Sequence, residues 1–275
     1  MNNVKSANNS SNLPLLIIGA VLLVAIIGGW WFYSNSKSPT VKSNTNSANK
    51  KPVDNKAANP YDNAPPGAQP ANMLGSQAAT VTVEEFADYQ CPTCAVTHPK
   101  MQELTKLYGN RIKFVYRSFP LSQIHAHAYE ASVAAEAAGL QNKFWEMQNQ
   151  LFSNQKDWSN SPDAGKLFEG YAQNIGLDIT KYQNDKLGLA AKARVDADIQ
   201  RGRAIGVNST PSIYINGKSL AFEQFEVAQM RQIIDAEFQK ASSQQSSQAA
   251  NQATTGVQSN TAANSNAKSN IGNTK

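Results

Sequence analysis

The stretch TVTVEEFADYQCPTC, residues 80–94, decides how this chain is read. Val81 and Val83 alternate with threonines and Phe86 closes the run, which predicts a strand over 80–87. Asp88-Tyr89-Gln90 leads directly into Cys91-Pro92-Thr93-Cys94. From Pro92 to Tyr108 the pattern turns helical, with Val96, Met101, Leu104 and Leu107 apolar. Pro99 interrupts that helix and is expected to kink it. Gly109-Asn110 ends it, and 112–117 (IKFVYR) reads as a second strand.

Cys91 and Cys94 are the only two cysteines in 275 residues. A structural disulfide closing so short a loop removes little chain entropy, so stabilisation is a poor reason for the pair. A zinc site normally needs four ligands, and a second C-x-x-C pair is absent. A metal reading would have to recruit His98, His125 and His127, which spacing alone does not bring together. Redox chemistry needs less. Cys91 falls at the N-terminus of a helix, where unpaired N–H groups and the helix dipole favour a thiolate. Such a thiolate attacks well and leaves well. Cys94, one turn deeper, is then the resolving thiol, and no metal or cofactor is required.

Downstream, 126–140 is Ala-rich and helical, and 143–152 puts Phe144, Met147 and Leu151 on one face. Ser161-Pro162 reads as an N-cap with proline at the first helical position. A further helix is expected from about 179 to 204. Strand 211–215 is joined by Asn216-Gly217, a strong hairpin signal, to 218–222. A last amphipathic helix is expected over 223–240. The order is β-α-β, then helices, then β-β-α: an α/β fold with an inserted helical subdomain. No internal repeat interrupts it.

Composition confines this domain to 76–240. Residues 241–275 are almost wholly Ser, Gln, Ala, Asn and Thr, and 34–75 is rich in Ser, Asn, Ala, Pro and Lys. Both read as disordered, a linker and a low-complexity tail. The formal charge of +5 resides in these flanks, because 75–240 carries 17 Lys and Arg against 18 Asp and Glu. With no basic stripe in the domain, nucleic-acid binding has no support.

Residues 13–33 (LPLLIIGAVLLVAIIGGWWFY) carry no charge. At ~1.5 Å rise per residue they form a helix able to cross a ~30 Å hydrocarbon core. Trp30, Trp31 and Tyr33 stand where interfacial aromatics stand. A cleaved signal peptide is the competing reading, but its apolar region is usually only ~7–15 residues. The expectation is an uncleaved signal anchor preceded by a cytoplasmic stub, 1–12. Lys37, Lys42, Lys50 and Lys51 follow the span and argue for a cytoplasmic domain. Large C-terminal domains, however, translocate largely regardless of charge. Disulfides persist outside the cytosol, and this places the domain on the extracytoplasmic side of the cell membrane.

These residues resemble the thioredoxin superfamily, and within it the DsbA-like (DsbA/BdbD-type) thiol–disulfide oxidoreductases. Val83 through Cys94 looks like that family's active-site strand and turn. Gly206-Val207-Asn208-Ser209-Thr210-Pro211-Ser212 is similar to its second signature, a Thr or Val before a cis-proline. Phe114–Leu121, Lys143–Glu146 and Pro99 also resemble family features. The 117 positions from Cys94 to Pro211 exceed what a plain thioredoxin needs, so about 119–205 resembles the family's helical insertion.

The resemblance implies a thioredoxin-like fold over the domain, to which hydropathy and composition add the N-terminal transmembrane helix and disordered tails. Cys91 would be the nucleophile and Cys94 the resolving cysteine of a redox-active disulfide. Pro211 would be cis and lie against it, with the backbone of Thr210 pairing to an extended substrate beside Pro92 and Thr93. Glu85 matches a buried acid that shuttles protons to Cys94; the alternative is an exposed strand carboxylate. The implied substrates are exported cysteine-containing proteins. The implied reoxidation partner is a membrane quinone-linked oxidase of the DsbB or vitamin-K-epoxide-reductase type. Thr93 departs from the histidine of the most oxidising members and offers no positive charge, which implies a less oxidising couple. A reductase or isomerase, and a tethered metal-binding or chaperone module, remain the competing functions.

Overall fold

A computed structural model describes residues 59–267, with side chains to 247. Its frame is a five-stranded sheet of order β1-β3-β2-β4-β5. The strands are β1 (Asn72–Gly75), β2 (Val81–Ala87), β3 (Ile112–Ser118), β4 (Ser212–Ile215) and β5 (Lys218–Ser219). β2 and β3 are parallel and register Val83 against Phe114; β1–β3, β2–β4 and β4–β5 are antiparallel.

After α1 (Pro60–Asn63), helix α2 (Pro92–Tyr108) connects β2 to β3 and runs continuously through Pro99. Six helices lie between β3 and β4: α3 (Ala128–Gly139), α4 (Phe144–Ser153), α5 (Gln155–Trp158), α6 (Ala164–Asn174), α7 (Ile179–Leu187) and α8 (Leu189–Ala204). α9 (Val227–Ala267) closes the chain's described part.

β2 is central, so both of its faces are covered and its alternation is partly masked. Val81, Val83 and Ala87 join the main core, with Met101 and Leu104 of α2 and Met230 and Ile234 of α9. Phe86 faces the other way, into a second cluster with Phe119, Val207 and Tyr214. α8 covers that side, and a Cβ on its Gly202 would fall 2.6 Å from the Phe119 ring. The same core runs on into the insertion, where Trp158, Phe168, Tyr182 and Met147 are fully buried.

Several expectations need correction. The segment up to residue 75 is not all linker: from residue 59 it is folded onto the domain, ending in strand β1. Its hold is polar. Arg117, buried between Glu84 (2.7 Å) and Asp198 (2.9 Å), donates to the carbonyls of Pro66 (2.8 Å) and Ala68 (3.1 Å). Arg201 binds both oxygens of Glu84 and the Pro65 carbonyl. The helix expected at 179–204 is two helices, because Gly188 is extended (φ −70°, ψ 174°). The helix expected after Ser161-Pro162 begins at Ala164, and Ser161 Oγ instead accepts from the Asp163 N–H.

At the Asn216-Gly217 turn both residues have positive φ (46° and 73°), but β5 spans only two residues, not 218–222. The last helix starts at Val227 and continues to Ala267, into the segment expected to be disordered. Ala and Gln, both good helix formers, recur there without a proline.

Among the described residues no helix is long and apolar enough to cross a membrane. The stub 1–12, the span 13–33, most of the linker and the last eight residues lie outside them.

Candidate active site

The candidate active site forms where β2 ends. Asp88 is fully buried and organises the exit. Its Oδ1 accepts from the Gln90 N–H (2.7 Å), its Oδ2 accepts from the Leu121 N–H (2.8 Å), and its backbone carbonyl accepts from the Cys91 N–H (3.1 Å). His125 Nδ1 lies 2.7 Å from the same Oδ2. Cys91 is thereby delivered as the N-cap residue of α2, with Pro92 in the first turn, where a missing N–H does no harm.

Both cysteines are free thiols, and they differ sharply in surroundings. The Cys91 thiol is pulled down to about 5. The chief cause is a hydrogen bond from the Cys94 thiol, opposed by burial and reinforced by the backbone N–H groups of Cys94 and Thr93 and by Thr210. Cys94 is wholly buried, and burial first, then the thiolate of Cys91, push it well above the ordinary thiol range. One sulfur is therefore a thiolate at neutral pH and the other holds a proton.

The sequence-distant loop closes over this pair. The Thr210–Pro211 peptide is cis. Cys91 Sγ lies 3.4 Å from the Thr210 carbonyl, a contact in which only the protonated thiol donates. Thr210 Oγ1 is buried without another partner and is the hydroxyl available to a Cys91 thiolate. Thr93, Thr210 and Pro211 line one groove of about 370 Å³ whose far wall includes Phe222 and Phe225. Pro92 lines a second, of about 440 Å³, with Gln90, Ile124, His125 and Lys156.

Glu85 lies on the opposite face of β2 from Glu84 and is 3% exposed, not an exposed strand carboxylate. Burial raises its carboxyl to about 8, and its charge would raise Cys94 further. It borders a cavity of about 20 Å³, room for one water. Glu84, by contrast, is pushed up by burial but held below the usual carboxylate range by Arg201 and Arg117.

The three histidines are engaged separately. His98 stacks on Phe152 and lies 2.9 Å from Asn149 Oδ1, His125 meets Asp88, and the His127 N–H donates to Gln90 Oε1. Among the described residues no three His, Cys, Asp or Glu side chains converge as a metal site. Sequence reasoning passed over Asp88, Gln90 and Gln155. Only Asp88, an acid between a buried strand and a cysteine, offered a signal.

A C-x-x-C at a strand–helix junction, facing a cis-proline loop, with six helices inserted between β3 and β4, is a thioredoxin-like arrangement. A family model described as thioredoxin matches residues 68–236. The chain belongs to the thioredoxin family, and its likenesses within that family are of the DsbA/BdbD kind.

It is similar to BdbD from Bacillus subtilis (25% identity, TM-score 0.53), covering 64% of this chain and 98% of that one. It is also similar to a thioredoxin-like oxidoreductase from Silicibacter pomeroyi DSS-3 (25% identity, TM-score 0.51), covering 62% and 92%. Curated relatives include the Na(+)/H(+) antiporter NhaA 1 of Mycolicibacterium gilvum, 34% identical over 151 residues. That match covers 54% of this chain, and the chain spans about a quarter (23%) of the antiporter's length. An oxidoreductase of the DsbA kind is the general class these likenesses support.

Proposed function

We propose that this protein is a membrane-anchored extracytoplasmic oxidoreductase that introduces disulfides into exported proteins through Cys91 and Cys94. The observation that carries the proposal is the opposed pair of thiols at the N-terminus of α2: an acidified Cys91 against the Thr210 loop, and a buried, protonated Cys94. A thiol near 5 lies between the ~7 of a reducing thioredoxin and the ~3.5 of a strongly oxidising DsbA. A stabilised thiolate favours the reduced protein and so makes the disulfide an oxidant.

The cycle starts from the Cys91–Cys94 disulfide. A substrate thiolate attacks Cys91 Sγ; the Cys91–Cys94 bond breaks as the mixed disulfide forms, and Cys94 leaves and takes up a proton. Glu85, buried on β2 with a carboxyl raised to about 8, is the proposed proton source. A second substrate thiolate then attacks the substrate sulfur, forming the substrate disulfide and releasing Cys91 as thiolate. Two electrons now reside on the protein dithiol. A quinone-linked membrane oxidase of DsbB or vitamin-K-epoxide-reductase type is the proposed acceptor. Residues 13–33 are the proposed anchor. The Thr210 backbone is the proposed pairing edge for an extended substrate, with Thr93 and Pro211 in the same groove and Pro92 in the neighbouring one.

The test combines oxidation of reduced ribonuclease, reduction of insulin and the measured Cys91–Cys94 potential. The expectation is catalysed ribonuclease oxidation and, for Cys94→Ser, accumulation of mixed disulfides with client proteins. A potential below about −300 mV, the range of inert structural disulfides, with no activity, would sink the proposal.

A further inference from the structure

The insertion grips the three residues that deliver the nucleophile. Gln155, first residue of α5, is buried, and its Nε2 donates both to the Tyr89 carbonyl (2.7 Å) and to the Cys91 carbonyl (2.9 Å). Gln90, between them, reciprocates: its Nε2 donates to the Ser159 carbonyl (2.7 Å) and its Oε1 accepts from the His127 N–H (2.7 Å). The Phe152 ring packs on Tyr89 with centroids 4.9 Å apart.

The Cys91 carbonyl also receives the first intrahelical bond of α2, from the Ala95 N–H, at a long 3.2 Å. A carbonyl has two lone pairs, and Gln155 occupies the second. Hydrogen bonds weaken steeply as donors turn away. The bonds from the Cys94 and Thr93 N–H groups to Cys91 Sγ therefore depend on how the first turn is oriented.

We propose that Gln155 is a positioning residue for the exchange chemistry: by holding the Tyr89 and Cys91 carbonyls it aims the first turn of α2 at Cys91 Sγ and sets the strength of the couple. The proposal deepens the redox function above and rests on it. It gives the insertion a chemical role in addition to its place over the site.

Gln155→Met keeps length and volume but removes the donor. Thiolate absorbance at 240 nm against pH, and equilibration with glutathione, are measured on the reduced full-length protein. The titration midpoint is expected to rise by about one pH unit. The glutathione equilibrium is expected to move about tenfold toward oxidised protein, which is ~30 mV for a two-electron couple. Gln155→Asn, with a donor one methylene short, should fold if Met does not, and should shift both readouts in the same direction.

Phe168→Leu, in the insertion core away from the loop, reports what lost stability alone does, and should move neither. A wild-type midpoint and wild-type equilibrium in the Gln155 variants, with only a lower melting temperature, would overturn the proposal. These readouts report on Cys91 and Cys94 whether or not clients are oxidised, whereas ribonuclease oxidation by the unmodified protein tests the function itself.

Discussion

Lowering the pH should weaken the reduced protein through Cys91, by an amount that can be worked out. The folded thiol sits at about 5 against an ordinary 9. Between those values the unfolded chain binds more protons than the native one, so unfolding free energy rises with pH at up to ~1.36 kcal/mol per unit. Integrated from below, the thiolate contributes about 2.7 kcal/mol at pH 7 and about 0.4 kcal/mol at pH 5. The stability is complete above pH 9 and is lost as pH falls through 5.

Cys91→Ser lacks this contribution but keeps every carboxylate and histidine, so subtracting its stability cancels their titration. Urea unfolding of the reduced protein and of the variant, at pH 5, 6 and 7, measures the difference. That difference should grow by about 2.3 kcal/mol from pH 5 to pH 7. A difference that stays flat over this range would refute the assignment of a thiolate to Cys91, and with it the oxidising character inferred from it.

Three further outcomes are expected. Glu85→Gln should stabilise the oxidised protein by roughly 3 kcal/mol at pH 7 and by under about 1 kcal/mol at pH 5, because a carboxyl raised to about 8 makes the fold lose stability as pH rises from 4.5; urea unfolding at the two pH values checks this, and stopped-flow reduction should be slower. Arg117→Met should cost about 3–5 kcal/mol, since Glu84 and Asp198 lose a buried partner; hydrogen exchange at Ala68 should accelerate with it. Thr210→Val keeps the shape of the loop but removes the buried hydroxyl near Cys91, so the thiolate titration seen at 240 nm should move up from about 5 by a fraction of a unit to one unit.

The chemistry was legible in the sequence because it is written locally. Cys91-Pro92-Thr93-Cys94 follows a strand pattern directly, and Asn216-Gly217 names its own turn. Strand β1 was not legible. Its four residues, Asn72–Gly75, follow a proline-rich run, and their strand character comes from pairing with the sequence-distant β3, which sets Asn72 against Tyr116. The break at Gly188 was hidden for a related reason. A glycine inside a helical pattern is tolerated, and only its extended backbone here separates α7 from α8. Gln155 carried no signal at all: a polar residue in a polar stretch, it is defined by the two carbonyls that the fold brings to it. Glu84 and Glu85 are adjacent and identical in type, yet one is paired with two arginines and the other is raised by burial alone. Which is which depends on helix α8, whose Arg201 no local pattern assigns to that face.

The grip of Arg117 and Arg201 on residues 65–68 is made to main-chain oxygens, not to side chains. What these arginines read is a path and not an identity. Pro65 and Pro66 suit it because a residue without an N–H presents only an acceptor. Gly67 is the exception, since its φ of +76° and the 2.6 Å that would separate an added Cβ from Arg117 Nη1 exclude other residues. Within 65–68 the docking thus constrains Gly67 by conformation and Ala68 by burial, while positions 65 and 66 are read only through their carbonyls, so lineages of this protein can rewrite those two positions without retuning the domain itself.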